Sequence, residues 1–280
     1  MYLKILNQSV ELKTADASLA ETLSAIYKPF MCPQVPAALP ADSCIEISAT
    51  NYSSSRMVRH RQNVSQCETI AQLLYTIDKA LTVELQIRRP DLFFVHAAAV
   101  AAADQAIMLV GEPGAGKSTL CWSLCDAGFV YLSDELAPVI LGETRVEPFA
   151  RAISIKRLAD CSPALPADTI DVRATMHIPV HSLRGGYATT PLPIGAMVFL
   201  LPGSIAKTAG MSELSASEAA ARLYANGLNQ LAHRHDGLGA AAKIAATVSA
   251  FSLPRAELPR MIEAVTELAE QARLGITSRV

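Results

Sequence analysis

Apolar and polar positions alternate in the first residues of the chain. Tyr2, Lys4 and Leu6, then Val10 and Leu12, read as two strands of a hairpin turning around Asn7, Gln8 and Ser9. Residues 18–27 read as a short helix. Pro29, Pro33, Pro36 and Pro40 mark a loop, and residues 44–48 alternate again as a strand. A helical period follows, with Ile70, Leu73, Leu74, Ile77, Leu81 and Leu85 on one face. Ser65 and Glu68 have the spacing of a capping box at its start, and Pro90 ends it.

From residue 91 the pattern changes to continuous apolar runs. Residues 92–100 read as one buried strand containing His96. Asp104 and Gln105 form a turn, and residues 106–110 form a second strand. A helix is predicted over 117–126 with Gly128 as its stop, then a strand over 129–132 ending at Ser133, Asp134 and Glu135. Strands are expected at 137–141, 153–155 and 197–201, and a polar loop over 160–170. Helices are expected over 217–231 and over 259–274, the last with Pro259 at its start and Gly275 beyond its end. The shift near residue 90 divides the chain into an α+β region, 1–90, with a substrate-binding or covering role, and an α/β domain, 91–280.

Composition narrows the class. Of 280 residues, 51% are hydrophobic and 18% charged, the reverse of a disordered chain. A net charge of −2 predicts neither a nucleic-acid nor an anionic-membrane partner. Mean hydropathy is +0.26, with much of the excess in alanine that a subunit interface could use. No apolar run reaches the roughly 18 residues of a membrane span. Residues 92–103 are interrupted by His96, 194–201 are too few, and the first ten lack a signal-peptide core. These features, with six cysteines of which no pair has C-x-x-C spacing, point to a reduced, cytoplasmic protein. Cys121 and Cys125 share a helix face as small buried residues.

The chemistry concentrates in Gly111-Glu112-Pro113-Gly114-Ala115-Gly116-Lys117-Ser118-Thr119, whose first eight residues match G-x-x-x-x-G-K-[ST] in full. A strand delivers the loop and a helix leaves it. Glycines let successive N–H groups converge on phosphate oxygens, and the helix dipole adds to them. Lys117 is then a point charge for the terminal phosphates and Ser118 a hydroxyl ligand for Mg²⁺. Asp134 and Glu135 follow the next strand, where a carboxylate holds metal or accepts a proton from a hydroxyl; an acidic helix cap is the bland alternative. His96 is placed beside the loop if its strand pairs with the loop's strand; otherwise it is an ordinary core histidine. Arg151, Lys156 and Arg157 are candidates for phosphate or an acidic substrate, or else a solvated basic edge. His177, His181, His233 and His235 lack a zinc-like spacing, with Pro179 between the first two.

Together, His96, the loop 111–119 and the run Leu132-Ser133-Asp134-Glu135 resemble the catalytic domain of HPr kinase/phosphorylase and its relatives, a branch of the phosphoenolpyruvate-carboxykinase-like P-loop proteins. The resemblance spans about residues 90–270. It implies a mixed, largely antiparallel β core flanked by helices, ATP with Mg²⁺, and a homo-oligomer. It also implies that Asp134 takes the acceptor's proton, that Lys117 and Ser118 hold phosphate and metal, and that His96 belongs to the active site. Glu135 stands where the bifunctional enzymes have aspartate. The segment from Glu147 to Lys156 replaces a glycine-containing signature, and residues 1–90 do not resemble the usual N-terminal domain. These departures point away from HPr and toward the related kinases of biosynthetic gene clusters that phosphorylate a serine of a precursor peptide. The expected activity is transfer of the γ-phosphoryl group of ATP to a serine of a peptide or protein. A nucleotide-hydrolysing or nucleotide-gated partner protein and a small-molecule kinase are the alternatives. A transporter ATPase is disfavoured by the absence of a Leu-Ser-Gly-Gly-Gln-like segment.

Overall fold

A computed structural model describes residues 1–36, 39, 43–49, 55–156, 158–159, 161–206, 210–233 and 237–273. The chain is a mixed α/β protein. The N-terminal part runs β1 (Tyr2–Ile5), β2 (Gln8–Thr14), α1 (Ala17–Ile26), β3 (Met31–Cys32), β4 (Cys44–Ala49), β5 (Arg56–His60), β6 (Asn63–Cys67) and α2 (Ile70–Arg88). It continues through β7 (Leu92–Val95), β8 (Ala97–Ala102), β9 (Gln105–Val110), α3 (Lys117–Asp126), β10 (Val130–Ser133), β11 (Ala137–Ile140), β12 (Arg145–Val146), β13 (Ile153–Ile155), β14 (Ile170–Asp171) and β15 (Met176–Ile178). The last elements are β16 (Leu192–Leu201), β17 (Ser212–Glu213), α4 (Ala216–Ala225), α5 (Leu238–Thr247), β18 (Ser249–Pro254) and α6 (Leu258–Arg273).

Among the described residues the strands form three sheets. The first has the order β3-β1-β2-β4-β5-β6. Its opening hairpin has a two-residue loop, Leu6 and Asn7, with φ of 48° and 61°, the left-handed pair that a type I′ turn requires. The expected hairpin is therefore present, with its turn one residue earlier. Helix α2 starts from a capping box made by Thr69 and Gln72. Ser65 and Glu68 do not make it, because Ser65 is already paired in β6 with Val58. Leu73, Leu74, Ile77, Leu81 and Leu85 of α2 are buried in one core with Leu3, Ile5, Leu12 and Ile45 of the first sheet.

The large sheet has the order β10-β8-β9-β16-β12-β11-β7, with β18 and β17 joined beside β16. Strand β16 is parallel to β9 on one side and to β18 on the other. Both faces are covered, so its strands are apolar throughout rather than alternating. Ala98, Val100, Ile107, Leu109, Val198 and Leu200 face Leu120, Leu124, Val265 and Leu268 of α3 and α6. Ala97, Ala99, Ala101, Ala106 and Met108 face Ala219, Leu223, Ala241 and Ile244 of α4 and α5. Much of the alanine excess thus lies between sheet and helices, where small side chains allow close approach; the expectation of a subunit interface is not needed for it. The third sheet is β13-β15-β14.

Three further expectations are corrected. The run 92–100 is two strands broken at His96, because β7 pairs with β11 while β8 pairs with β9 and β10. The helix over 217–231 ends at Ala225, where Asn226 caps it and Gly227 bridges to Val95. Helix α5 has no counterpart among the expected elements. The last helix matches through Arg273; Leu274 and Gly275 lie outside the described residues, as do Pro40, Arg157 and His235. Among the described residues, no helix is long and apolar enough to cross a membrane, and all six cysteines are free.

Candidate functional site

The site is assembled at one end of the large sheet. Strand β9 delivers the glycine loop directly from Val110. Ala97 pairs with Val110, so His96, the residue before it, lies beside the start of the loop. Ser133 at the end of β10 pairs with Ala99, two residues further along β8. Asp134 and Glu135 therefore emerge toward His96.

The loop is preformed. Gly116 has φ 91° and precedes α3, whose start carries no side-chain cap, so its first N–H groups remain for an anion. A Cβ on Gly111 would lie 3.1 Å from the Leu200 carbonyl oxygen and 3.3 Å from the Ala115 Cβ, so the loop sits close against β16 and a side chain there would crowd it. Lys117 is 6% exposed. Its Nζ donates to the carbonyl oxygens of Gly111 at 2.6 Å and Glu112 at 3.1 Å. Burial lowers its pKa and the charge of Lys156 adds to that, while Glu135 and Asp134 oppose it. A buried lysine aimed into a backbone cradle fits an anionic ligand. Ser118 and Thr119 follow it in the half-buried first turn of α3.

The two adjacent carboxylates have opposite surroundings. The Ser133 hydroxyl donates to the Leu136 carbonyl at 2.6 Å and accepts from the N–H groups of Leu136 and Glu135, closing a turn over residues 133–136. Asp134 is then 1% exposed. Its Oδ1 accepts from the Tyr131 hydroxyl at 3.0 Å and its Oδ2 from the Ser154 N–H at 2.9 Å. Arg151 Nη2 lies 3.7 Å from Oδ1. Burial pushes the Asp134 carboxyl up against the pull of Arg151. Glu135 instead has a side chain 53% exposed, with Oε1 3.3 Å from His96 Nε2. Burial would raise its pKa, but the His96 hydrogen bond, Arg151 and Lys117 outweigh that and hold it below the usual carboxylate range.

His96, Lys117 and Glu135 are thus brought together with residues 111–119, and the exposed Lys156 lies near enough to weigh on Lys117. Two of the expected site residues are enclosed by the protein. Asp134, expected to take the acceptor's proton or hold metal, has both oxygens engaged by the protein's own donors. Arg151, expected to bind phosphate or substrate, is 2% exposed and lies between two carboxylates. Its other partner, Asp78 of α2, receives a hydrogen bond from Tyr27. Nothing in the local pattern around residue 151 signals Asp78 or Tyr27. Tyr131 lies on β10 three residues before Asp134, in reach of a local reading. Among the described residues, no group of three or more His, Cys, Asp or Glu side chains is placed to hold a metal ion.

No protein-family model matches the chain, and no curated protein is similar to it. Among solved structures, it is similar to the Hpr(Ser) kinase/phosphatase from Coxiella burnetii, at 11% sequence identity and a TM-score of 0.37, over 66% of this chain and 99% of that one.

Proposed function

We propose that the chain is an ATP-dependent, Mg²⁺-requiring kinase that transfers the γ-phosphoryl group to a serine hydroxyl of a peptide or protein. One observation carries the reading: a buried lysine points into a glycine cradle beside an outward-facing His96–Glu135 pair. Residues 91–280 are the catalytic part in this reading, and residues 1–90 cover it. The resemblance of residues 96–135 to HPr-kinase-related enzymes supports the serine acceptor.

Lys117 exchanges its two carbonyl partners for the β- and γ-phosphate oxygens. The N–H groups of the loop and of the first turn of α3 hold the remaining oxygens. Ser118 would hold a Mg²⁺ bound with the nucleotide, which would supply neutralisation of phosphate charge. Glu135 orients the acceptor O–H and takes its proton as the oxygen–phosphorus bond forms and the bond to the β-phosphate oxygen breaks. His96 fixes the Glu135 carboxylate and Asp134 fixes the turn that presents it. Lys156 flanks the loop as a second cation for the phosphates. Positioning and charge stabilisation supply most of the rate in this type of transfer.

The test is intact-mass spectrometry of serine-containing candidate peptides after incubation with enzyme, ATP and Mg²⁺. A gain of one phosphate on serine, lost in E135Q, supports the reading. ATP consumption with no mass gain on any peptide overturns the peptide acceptor.

A further inference from the structure

The mechanism gives no role to Arg151 and Asp78, a charge pair at the seam between the first sheet's core and the large sheet. Arg151 Nε lies 3.5 Å from Asp78 Oδ1, its Nη2 lies 3.7 Å from Asp134 Oδ1, and its Nη1 donates to the Ala152 carbonyl at 2.8 Å. Asp78 belongs to α2, and Tyr27, at the end of α1, donates to it. The surrounding backbone is tied both ways. The Ala152 N–H donates to the Ile26 carbonyl at 2.8 Å, and the Phe149 N–H donates to the Leu132 carbonyl of β10 at 2.9 Å. The Phe149 ring stacks on Phe30 at 5.7 Å within the N-terminal core.

We infer that Arg151 is a positioning residue: through the bridge Asp78–Arg151–Asp134, the N-terminal region sets the turn that aims Glu135 at His96. The inference rests on the kinase reading for its functional consequence, but the geometry it asserts is separable. A planar guanidinium can face two carboxylates at once, as a single ammonium point charge does not. The other ionisable groups facing it are Tyr27, Tyr131, His177 and Glu135, and of these only Glu135 is a second anion at neutral pH. Without the cation, the buried Asp134 and the partly buried Asp78 would remain as carboxylates with no opposite charge between them. Asp134 would then turn toward water and carry the 133–136 turn with it. Glu135 is the next residue. A displacement of about 1 Å at a reacting group costs on the order of 100-fold in rate.

The experiment uses the full chain and three variants: R151K, D78N and, as a control in a separate buried ion cluster, E84Q. Ring ¹H–¹³C spectra of the histidines are recorded, with the His96 resonance assigned by its absence in H96Q. Mg·ATP is then titrated against Trp122 fluorescence. D78N and R151K are expected to move the His96 resonance by more than its linewidth while keeping their circular dichroism, and E84Q to leave it in place. With a peptide that accepts phosphate, D78N should lower kcat on the order of 100-fold and leave KM for ATP unaltered. An unmoved His96 resonance in folded D78N overturns the inference. So does a D78N chain that has lost its fold, because the bridge then carries the fold rather than the aim of Glu135. A wild-type chain that shows no response to ATP removes the kinase reading, while the histidine spectra still decide the bridge.

Discussion

The Nε2 of His96 lies 3.3 Å from Oε1 of Glu135, although one residue precedes β8 and the other follows β10. His96 sits at the break between β7 and β8, beside the start of the loop, and the Ser133 turn swings Glu135 out to meet it. The pair leaves one carboxylate accessible while its neighbour Asp134 is enclosed. In the proposed reaction, accessibility rather than the identity of the acid would decide which carboxylate receives a proton from an incoming hydroxyl.

E135Q is therefore expected to lower phosphoryl transfer by roughly 10²- to 10⁴-fold, the range for a lost general base. Its stability should stay within about 0.5 kcal/mol of wild type, as for an exposed substitution. Single-turnover kinetics and urea unfolding measure the two. Wild-type turnover in E135Q would return the proton-accepting role to Asp134.

D134N should behave in the opposite way in the unfolding experiment. Its loss takes one carboxylate from Arg151 and puts an amide N–H₂ where either Tyr131 or Ser154 donates. Breaking one side of a buried ion pair costs about 3 kcal/mol or more. The urea midpoint should drop with an unchanged m-value, and an unchanged midpoint would contradict the packing described for Asp134.

Trp122 is the single tryptophan, 2% exposed on α3. Nucleotide drawn onto the start of that helix should change its emission. K117M should abolish the response at the ATP concentrations that saturate wild type, since it removes the cation from the loop. A K117M curve that overlays wild type would detach Lys117 from the phosphates.

His177 supplies a pH test of stability. It is 2% exposed, its Nδ1 is buried with no hydrogen-bond partner among the described residues, and its Nε2 lies 3.1 Å from the Thr175 hydroxyl. Burial and then Arg151 hold its pKa down at about 4, against an ordinary 6.5. Between those values the unfolded chain binds the proton and the folded chain does not. Stability is therefore full above pH 6.5 and is lost as pH falls toward 4, by about 3 kcal/mol at the lower end. H177Q should flatten the urea midpoint over that window; an equally steep decline would assign it to other groups.

The strand–loop–helix around Lys117 was legible because its motif dictates backbone as well as chemistry, and α3 begins and ends where the pattern puts it. His96 was legible only conditionally: its value depended on a strand pairing that the register then supplied. The adjacent Asp134 and Glu135 could not be told apart in the sequence. Their difference comes from a hydroxyl at Ser133 and an N–H at Ser154, one of them twenty residues away. Arg151 reads as a free basic residue because its partner Asp78 belongs to α2, across the seam. Helix α5 escaped because Ala240, Ala241 and Ala245 give a weak apolar stripe. The Ser65–Glu68 spacing misled because its serine was committed to a ladder in β6.

The two carbonyls that hold Lys117 have a consequence for selectivity. The ammonium is already solvated by the chain, so an arriving anion gains only the difference between its own oxygens and those of Gly111 and Glu112. For a singly charged anion that difference is small. For a triphosphate, which engages the lysine and the loop N–H groups together, it is large. In the proposed reading the resting loop would thus act as a threshold detector, insensitive to stray anions and responsive to concentrated negative charge.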